Sequence, residues 1–138
     1  HVITSKSAVV GGWQKLAVNA AINPLVALNG VRNGELRGNA YSGRVVAVVK
    51  EVAAILAKEG VVPPSGSEGE AGWLALVWQV VENTANNKAS MLQDMEAKRP
   101  TERGAILGPL IERAERHGLG CEVLKGLDQE LALLEAGF

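Results

Sequence analysis

The chain has 138 residues, 47% of them hydrophobic, and its 14 basic residues nearly balance 15 acidic ones. A chain of this length and apolar content is expected to fold as about one domain with its own core. Since it has neither a basic surplus nor an apolar run of the roughly 20 residues that a membrane helix needs, we expect neither nucleic acid nor a membrane as a partner.

The N-terminal part of the sequence predicts one helix followed by a turn-rich stretch. Ser7 is placed to cap a helix that continues to about Ala21, because apolar residues recur at helical spacing after it. Pro24 is expected to bend or restart the chain, since proline removes a helical hydrogen bond. Two Asn-Gly pairs within 28–39 then indicate turns.

A long second helix is predicted over 42–58, where apolar residues again recur at helical spacing. These residues are Val45, Val48, Val49, Val52, Ile55 and Leu56. Gly60 is expected to end this helix, and the stretch rich in proline and glycine that follows marks the strongest break in the chain. Ser67 is placed to cap a third helix, whose apolar side begins at Trp73.

The remaining sequence predicts a polar turn and three more helices. Residues 83–90 form the turn, and a short helix over 91–98 follows it. Thr101 is placed to cap the next helix, which ends near His117 before two glycines. A last helix covers about 122–135. Because no alternating strand pattern is present, the sequence predicts an all-α fold of about six to eight helices.

The cysteine and histidine content limits the compartment and the chemistry. Cys121 is the single cysteine, so no internal disulfide is expected, and a packed thiol fits a reducing compartment. With no signal-peptide pattern either, we expect a cytoplasmic protein. Two histidines and one cysteine offer no zinc site, and His117 is expected to be a favourable cation at a helix end. Because the sequence starts with His1 rather than Met, we expect a tag remnant or a piece of a longer protein.

Three polar residues on the first predicted helix raise the question of function. Lys15, Asn19 and Asn23 follow one another in four-residue steps, so they lie within about 80° of one helix face. One interpretation is a solvated polar stripe. The other is a hydrogen-bonding wall of one cation and two amides, which suits a small anion rich in oxygen.

A second polar segment, residues 87–102, fits ordinary helix signals when it is taken alone. Ser90 is a candidate cap, and Asp94 with Lys98 has the spacing of an i,i+4 ion pair. Glu102 would then be an acidic residue at the positive end of the next helix. When this segment is taken together with the first one, its residues instead match a family motif.

The two segments together resemble ketopantoate reductases (2-dehydropantoate 2-reductases). The first segment is similar to the family's KLxxNxxxNP motif, and the second to its NxxSMxQDxxxxRxTE motif. Between them, residues 29–36 look like the family's turn that contains NGEL. The matching positions of the second motif are Asn87, Ser90, Met91, Gln93, Asp94, Arg99, Thr101 and Glu102.

This resemblance implies the all-helical C-terminal domain of a two-domain reductase, similar to the C-terminal domain of 6-phosphogluconate dehydrogenase. Residues 1–138 would be the substrate-binding and catalytic domain, covalently joined in the full-length protein to an N-terminal Rossmann domain that is absent here. That domain would hold NADPH, since no G-x-G-x-x-G fingerprint follows a strand in this sequence. We therefore assign no cofactor-binding residue and no metal to this chain, and we expect it to be inactive alone.

The resemblance also implies roles for five residues. Lys15 would stabilise the negative charge that develops on the ketone oxygen during hydride transfer and would donate the proton. Asn19 and Asn23 would hold the far hydroxyl of ketopantoate, and Ser90 its carboxylate. Glu102 matches the family's functional glutamate, and a carboxylate beside the lysine would favour the charged amine.

The leading interpretation is the reduction of ketopantoate to pantoate with NADPH, in pantothenate and coenzyme A synthesis. One alternative is a related reductase of another 2-oxo acid, since Arg103 and Gly104 replace the Ile-Asp that usually follows Thr-Glu in the family. Another is a non-catalytic helical dimerisation module whose polar face is only solvated. A homodimer is expected from an excess of apolar side chains, namely Trp13, Trp73, Trp78, Leu131, Leu133 and Leu134.

Overall fold

The computed structural model describes residues 2–64 and 69–138, with side chains from residue 12 onward in those ranges. Over them the chain forms α-helices, one short 3-10 helix and no strand, so the all-α prediction and the expected number of helices are confirmed. None of the described helices has both the length and the apolarity that crossing a membrane requires. The α-helices are α1 (Val2–Asn29), α2 (Ser42–Lys58), α3 (Gly69–Asn83), α4 (Ser90–Glu96), α5 (Arg103–Arg116) and α6 (Glu122–Ala136), and the 3-10 helix covers Asn33–Arg37.

Helix α1 is longer than the sequence predicted. It begins at Val2, so a cap at Ser7 is wrong, and it continues through Pro24 without a break. Pro24 is itself buried, and both Ala21 and Leu25 beside it are fully buried. Packing of this segment therefore outweighs the loss of one helical hydrogen bond, which is the usual reason that a proline ends a helix.

The core lies around α1 and α2. Helix α1 contacts each of the other five α-helices, and α2 contacts α3, α5 and α6 as well. The predicted bounds of α2 are confirmed, and all six of its predicted apolar positions are buried. The central position of α1 matters for function, because every helix that carries a candidate site residue either is α1 or packs against it.

The end of α2 confirms the predicted glycine stop. Gly60 has a φ of +74°, a left-handed conformation that glycine adopts without a steric penalty. Its N–H donates to the carbonyl of Ala57 at 3.2 Å, and the N–H of Val61 donates to that of Leu56 at 2.9 Å. These two bonds form a Schellman motif, which satisfies carbonyls at the helix end.

Helix signals in the second half of the chain were less reliable. The predicted cap of α3, Ser67, lies outside the described residues. Thr101 does not cap α5, because Glu102 is the N-cap residue and makes no side-chain cap bond. Asp94 pairs with Arg99 at 3.1 Å rather than with Lys98. Lys98 has a φ of +56° and so lies past the end of the regular helix, which removes the i,i+4 geometry.

Six apolar side chains were expected to exceed what one domain easily buries, but the structure buries three of them. Trp13, Trp73 and Leu131 are buried, Trp78 is partly buried against the core, and Leu133 and Leu134 are exposed. The tryptophans therefore contribute mainly to the core of this domain. Self-association stays a prediction that rests on the exposed leucines near the C-terminus.

His117 and Cys121 have the structural environments that the sequence suggested. His117 ends α5, and its Nε2 pairs with the carboxylate of Glu59, which also lies 3.6 Å from Nε of Arg113. Cys121 is buried, and desolvation raises the pKa of its thiol. The prediction of a packed thiol is confirmed.

A side chain from another helix caps the start of α6. Its N-cap residue, Cys121, makes no side-chain cap hydrogen bond. Instead, the two carboxylate oxygens of Glu51 on α2 accept hydrogen bonds from the N–H groups of Val123 and Leu124, each at 2.9 Å. A carboxylate here satisfies two helical donors and lies at the positive end of the helix dipole.

Replacing Glu51 by alanine is expected to lower the free energy of unfolding by about 1.5–3 kcal/mol, as for other hydrogen bonds to charged groups. The matched control is Glu112→Ala, because Glu112 is exposed and forms an i,i+4 pair with Arg116 at 2.8 Å. That surface pair contributes only about 0.5 kcal/mol. Urea unfolding followed by circular dichroism measures both variants, and equal losses would contradict the capping role of Glu51.

Candidate functional site

A groove of about 320 Å³ lies between α1 and α3. Its lining combines a cation and two amides from α1 with apolar side chains from α3. The lining residues are Gln14, Lys15, Val18, Asn19, Pro64, Leu76 and Val80. A concave site with a few polar groups on an otherwise apolar lining is typical of small-molecule sites.

The local sequence of α1 explains how the amine and the amides reach this side. Lys15 is exposed and Asn19 is partly buried. Ala17, which lies between them in the sequence, and Ala20, which follows Asn19, are almost fully buried. Small residues thus pack α1 into the core on one face, and the polar residues remain on the other. Asn23 lies one turn beyond Asn19 and is partly buried, but it is not among the residues that line the groove.

The other two candidate residues begin helices that pack on α1. Ser90 is the first residue of α4, whose N-cap is Ala89 with no side-chain cap bond, so the interpretation of Ser90 as a cap is wrong. Glu102 is exposed at the N-cap of α5. Both α4 and α5 contact α1. The structure thus places both helices beside α1, but among the described residues neither Ser90 nor Glu102 forms a hydrogen bond or an ion pair with Lys15.

The five candidate side chains share one property in the part of the chain that the structure describes. Within the ranges that the structure describes, none of them forms a side-chain hydrogen bond or an ion pair. These five are Lys15, Asn19, Asn23, Ser90 and Glu102. Their donors and acceptors are therefore available to another molecule, although their individual roles stay predictions.

The turn-rich stretch after α1 has a packing role that the sequence pattern did not reveal. The N–H of Asn33 donates to the carbonyl of Asn87 at 3.1 Å, and the N–H of Gly34 donates to that of Ala85 at 2.9 Å. Nη1 of Arg32 donates to a third carbonyl of the same α3–α4 turn at 2.7 Å. The NGEL turn is therefore in direct contact with the start of the segment 87–102, and it holds the turn that leads into α4.

The pair Asn33-Gly34 suits this contact because its glycine leaves room for the other backbone and its asparagine forms a hydrogen bond. A Cβ on Gly34 would lie 2.7 Å from the Cβ of Ala85, so no larger residue fits without a shift. The buried side chain of Asn33 donates from Nδ2 to the Thr84 hydroxyl at 2.9 Å, and its Oδ1 has no partner among the described residues. The match between the NGEL turn and the family motif was the only sequence signal of this docking.

The sequence matches the family model described as "Ketopantoate reductase PanE/ApbA C terminal" over residues 11–135. The chain belongs to this family. The 2-dehydropantoate 2-reductase of Vibrio cholerae serotype O1 is 39% identical over 124 residues, which are 89% of this chain and 40% of that protein. The Salmonella typhi protein of the same name is 44% identical over 107 residues, or 78% and 33% of the two chains. The chain therefore spans well under half the length of these relatives.

Solved structures share the fold of this chain. The crystal structure of a probable 2-dehydropantoate 2-reductase panE from Bacillus subtilis matches with a TM-score of 0.77 and 37% identity, over 88% of this chain and 39% of that one. A D-mandelate dehydrogenase, in a ternary structure with NADH and anilino(oxo)acetate, matches with a TM-score of 0.80 over 93% and 52% of the chains. Its identity is 21%, so this second likeness concerns the fold alone.

Proposed function

We propose that this chain is the substrate-binding and catalytic domain of a cytoplasmic 2-dehydropantoate 2-reductase, which reduces ketopantoate to pantoate in pantothenate and coenzyme A synthesis. The observation that carries the proposal is the groove where Lys15 and Asn19 face apolar side chains of α3, in a chain of the ketopantoate reductase family. The relatives' names support the substrate, and their greater length supports an N-terminal domain beyond this chain.

The reaction needs a hydride on the carbonyl carbon and a proton on the carbonyl oxygen. NADPH supplies the hydride, and we assign its site to the N-terminal domain because the described residues contain no strand for a dinucleotide-binding turn. Lys15 stabilises the charge that develops on the oxygen and donates the proton. The apolar wall formed by Leu76 and Val80 excludes water from one side of the groove, which strengthens this interaction.

The remaining candidate residues bind parts of the substrate whose charge does not change. In this proposal Asn19 and Asn23 hold the terminal hydroxyl of ketopantoate, and Ser90 holds its carboxylate. Glu102 places its carboxylate beside Lys15 and orients the amine. Among the described residues these five side chains have no polar partner, which supports the assignment, since each keeps its hydrogen bonds for a ligand.

Steady-state kinetics on the full-length protein tests this function. We expect reduction of ketopantoate with NADPH, and we expect Asn23→Ala and Ser90→Ala each to raise KM about tenfold with little change in kcat, because each removes about one hydrogen bond from bound substrate. Gln129→Ala is the matched control, since Gln129 is exposed on α6 and does not line the groove. It should keep the unaltered KM.

Two results would contradict the proposal in different ways. A wild-type KM in both Asn23→Ala and Ser90→Ala would remove their binding roles. A higher kcat/KM for 3,3-dimethyl-2-oxobutanoate, which is ketopantoate without its hydroxyl, would indicate a reductase of another 2-oxo acid. The second result would also remove the proposed role of Asn19 and Asn23 in holding a hydroxyl group.

A further inference from the structure

One carboxylate near the end of α6 holds both sequence neighbours of Glu102. Oε1 of Glu135 accepts a hydrogen bond from the backbone N–H of Thr101 at 3.3 Å, and its Oε2 accepts one from the Thr101 hydroxyl at 2.6 Å. Nε of Arg103 donates to the same Oε2 at 3.2 Å. We call these contacts of Glu135 with Thr101 and Arg103 the Glu135 clasp.

The clasp consists of charge-assisted hydrogen bonds that are largely shielded from solvent. The side chain of Glu135 is only 14% exposed. Arg103 also donates from Nη1 to Asp128 at 2.6 Å, and this hydrogen bond is the main cause of the raised pKa of the Arg103 guanidinium. Charge-assisted bonds are about twice as strong as neutral ones, so the clasp ties the start of α5 firmly to α6.

Glu102 itself is not part of the clasp. Its backbone lies between the two clasped residues as the N-cap of α5, with φ of −87° and ψ of 30°. Its side chain is exposed and has no polar partner in the described part of the chain. The backbone of Glu102 is thus held on both sides, while its carboxylate remains available.

We propose that Glu135 is a positioning residue for the reaction, which acts by fixing the backbone from which Glu102 extends. This inference rests on the proposed function, in which the carboxylate of Glu102 acts beside Lys15. Without the clasp, the start of α5 is free to shift, and the side chain of Glu102 no longer keeps one orientation. A misplacement of about 1 Å can lower a rate by roughly 100-fold, so loss of the clasp should reduce kcat.

A double-mutant cycle in the full-length protein tests the inference. Glu135→Ala is expected to lower kcat about tenfold in the unaltered background but less than about twofold in a Glu102→Gln background, because the charge that it positions is then already gone. A purely structural role would give the same loss in both backgrounds. The matched control is Glu130→Ala on the same helix, because Glu130 pairs with Arg44 of α2 at 2.7 Å. It should leave kcat unchanged.

A second pair of variants keeps the test valid if Glu135→Ala folds poorly. Thr101→Val removes the hydroxyl donor and should lower kcat, whereas Thr101→Ser retains that donor and should restore it. Amide hydrogen exchange of Thr101 should also be faster in Glu135→Ala, because its N–H loses an acceptor.

The outcomes separate this inference from the proposed function. Equal losses of kcat in both Glu102 backgrounds, or wild-type kcat in Glu135→Ala together with faster exchange at Thr101, would overturn the positioning role alone. A loss of kcat in Thr101→Ser as large as in Thr101→Val would also count against it. An unaltered full-length protein that reduces no 2-oxo acid would overturn both the inference and the function.

Discussion

Replacing Lys15 by alanine in the full-length protein is expected to lower kcat by about 100- to 10,000-fold, the usual contribution of a general acid. The effect should appear mainly in kcat, because the interaction of the ammonium with the ketone oxygen strengthens as negative charge develops there. Lys15 lines the groove, and its amine has no ion-pair partner among the described residues. Steady-state and single-turnover kinetics with ketopantoate and NADPH measure the change.

Two further variants separate proton donation from simple charge. Lys50→Ala is the matched control, since Lys50 is exposed on α2, lies outside the groove and has no ion pair in the described ranges. It should keep wild-type kcat. Lys15→Arg retains a positive charge, but a guanidinium does not give up its proton under ordinary conditions, so kcat should stay low. A wild-type kcat in Lys15→Ala would remove Lys15 from the mechanism.

The isolated chain of 138 residues is expected to consume no NADPH in the presence of ketopantoate. Hydride transfer requires the donor carbon and the carbonyl carbon to be held near attack distance, and this positioning supplies much of the rate. The described residues form helices without a strand, so they lack the strand-turn-helix unit that binds a dinucleotide. The rate of NADPH oxidation by the isolated chain should therefore lie below the detection limit of the assay.

The isolated-chain experiment needs a control for folding. Circular dichroism should show a mainly helical protein, and titration with ketopantoate followed by NMR should shift the side-chain amide signals of Asn19 and Asn23. Binding without turnover would agree with a substrate-binding domain that lacks its cofactor domain. Oxidation of NADPH by the isolated chain would show that the cofactor site had been assigned to the wrong part of the protein.

Elements defined by local interactions were predicted well from the sequence. The apolar stripe and the terminal glycine of α2 lie within one continuous segment, and both its bounds, Ser42 and Lys58, agree with the structure. Helical periodicity likewise put Lys15, Asn19 and Asn23 on one face, and the first two line one groove whereas Asn23 does not. These features follow from bond geometry over a few residues, so they depend little on the rest of the chain.

Features that involve competition between partners were predicted poorly. Threonine is a residue type that often caps helices, but the hydroxyl of Thr101 binds Glu135, which lies 34 residues further along the chain. Proline usually breaks a helix, but α1 continues through Pro24, where the neighbouring side chains Ala21 and Leu25 are fully buried. In both cases a local preference of about 1–3 kcal/mol is outweighed by contacts that only the folded chain supplies.

The candidate site shows the same division. By itself, the sequence determined the fold class, the helical face that carries Lys15 and Asn19, and the motifs that mark Ser90 and Glu102. Only the tertiary structure decided that Leu76 and Val80 form the other side of the groove. It also decided which distant groups hold the turn before α4 and the start of α5. Spacing along a helix is encoded in neighbouring residues, whereas the choice of a distant partner depends on how all the helices pack at once.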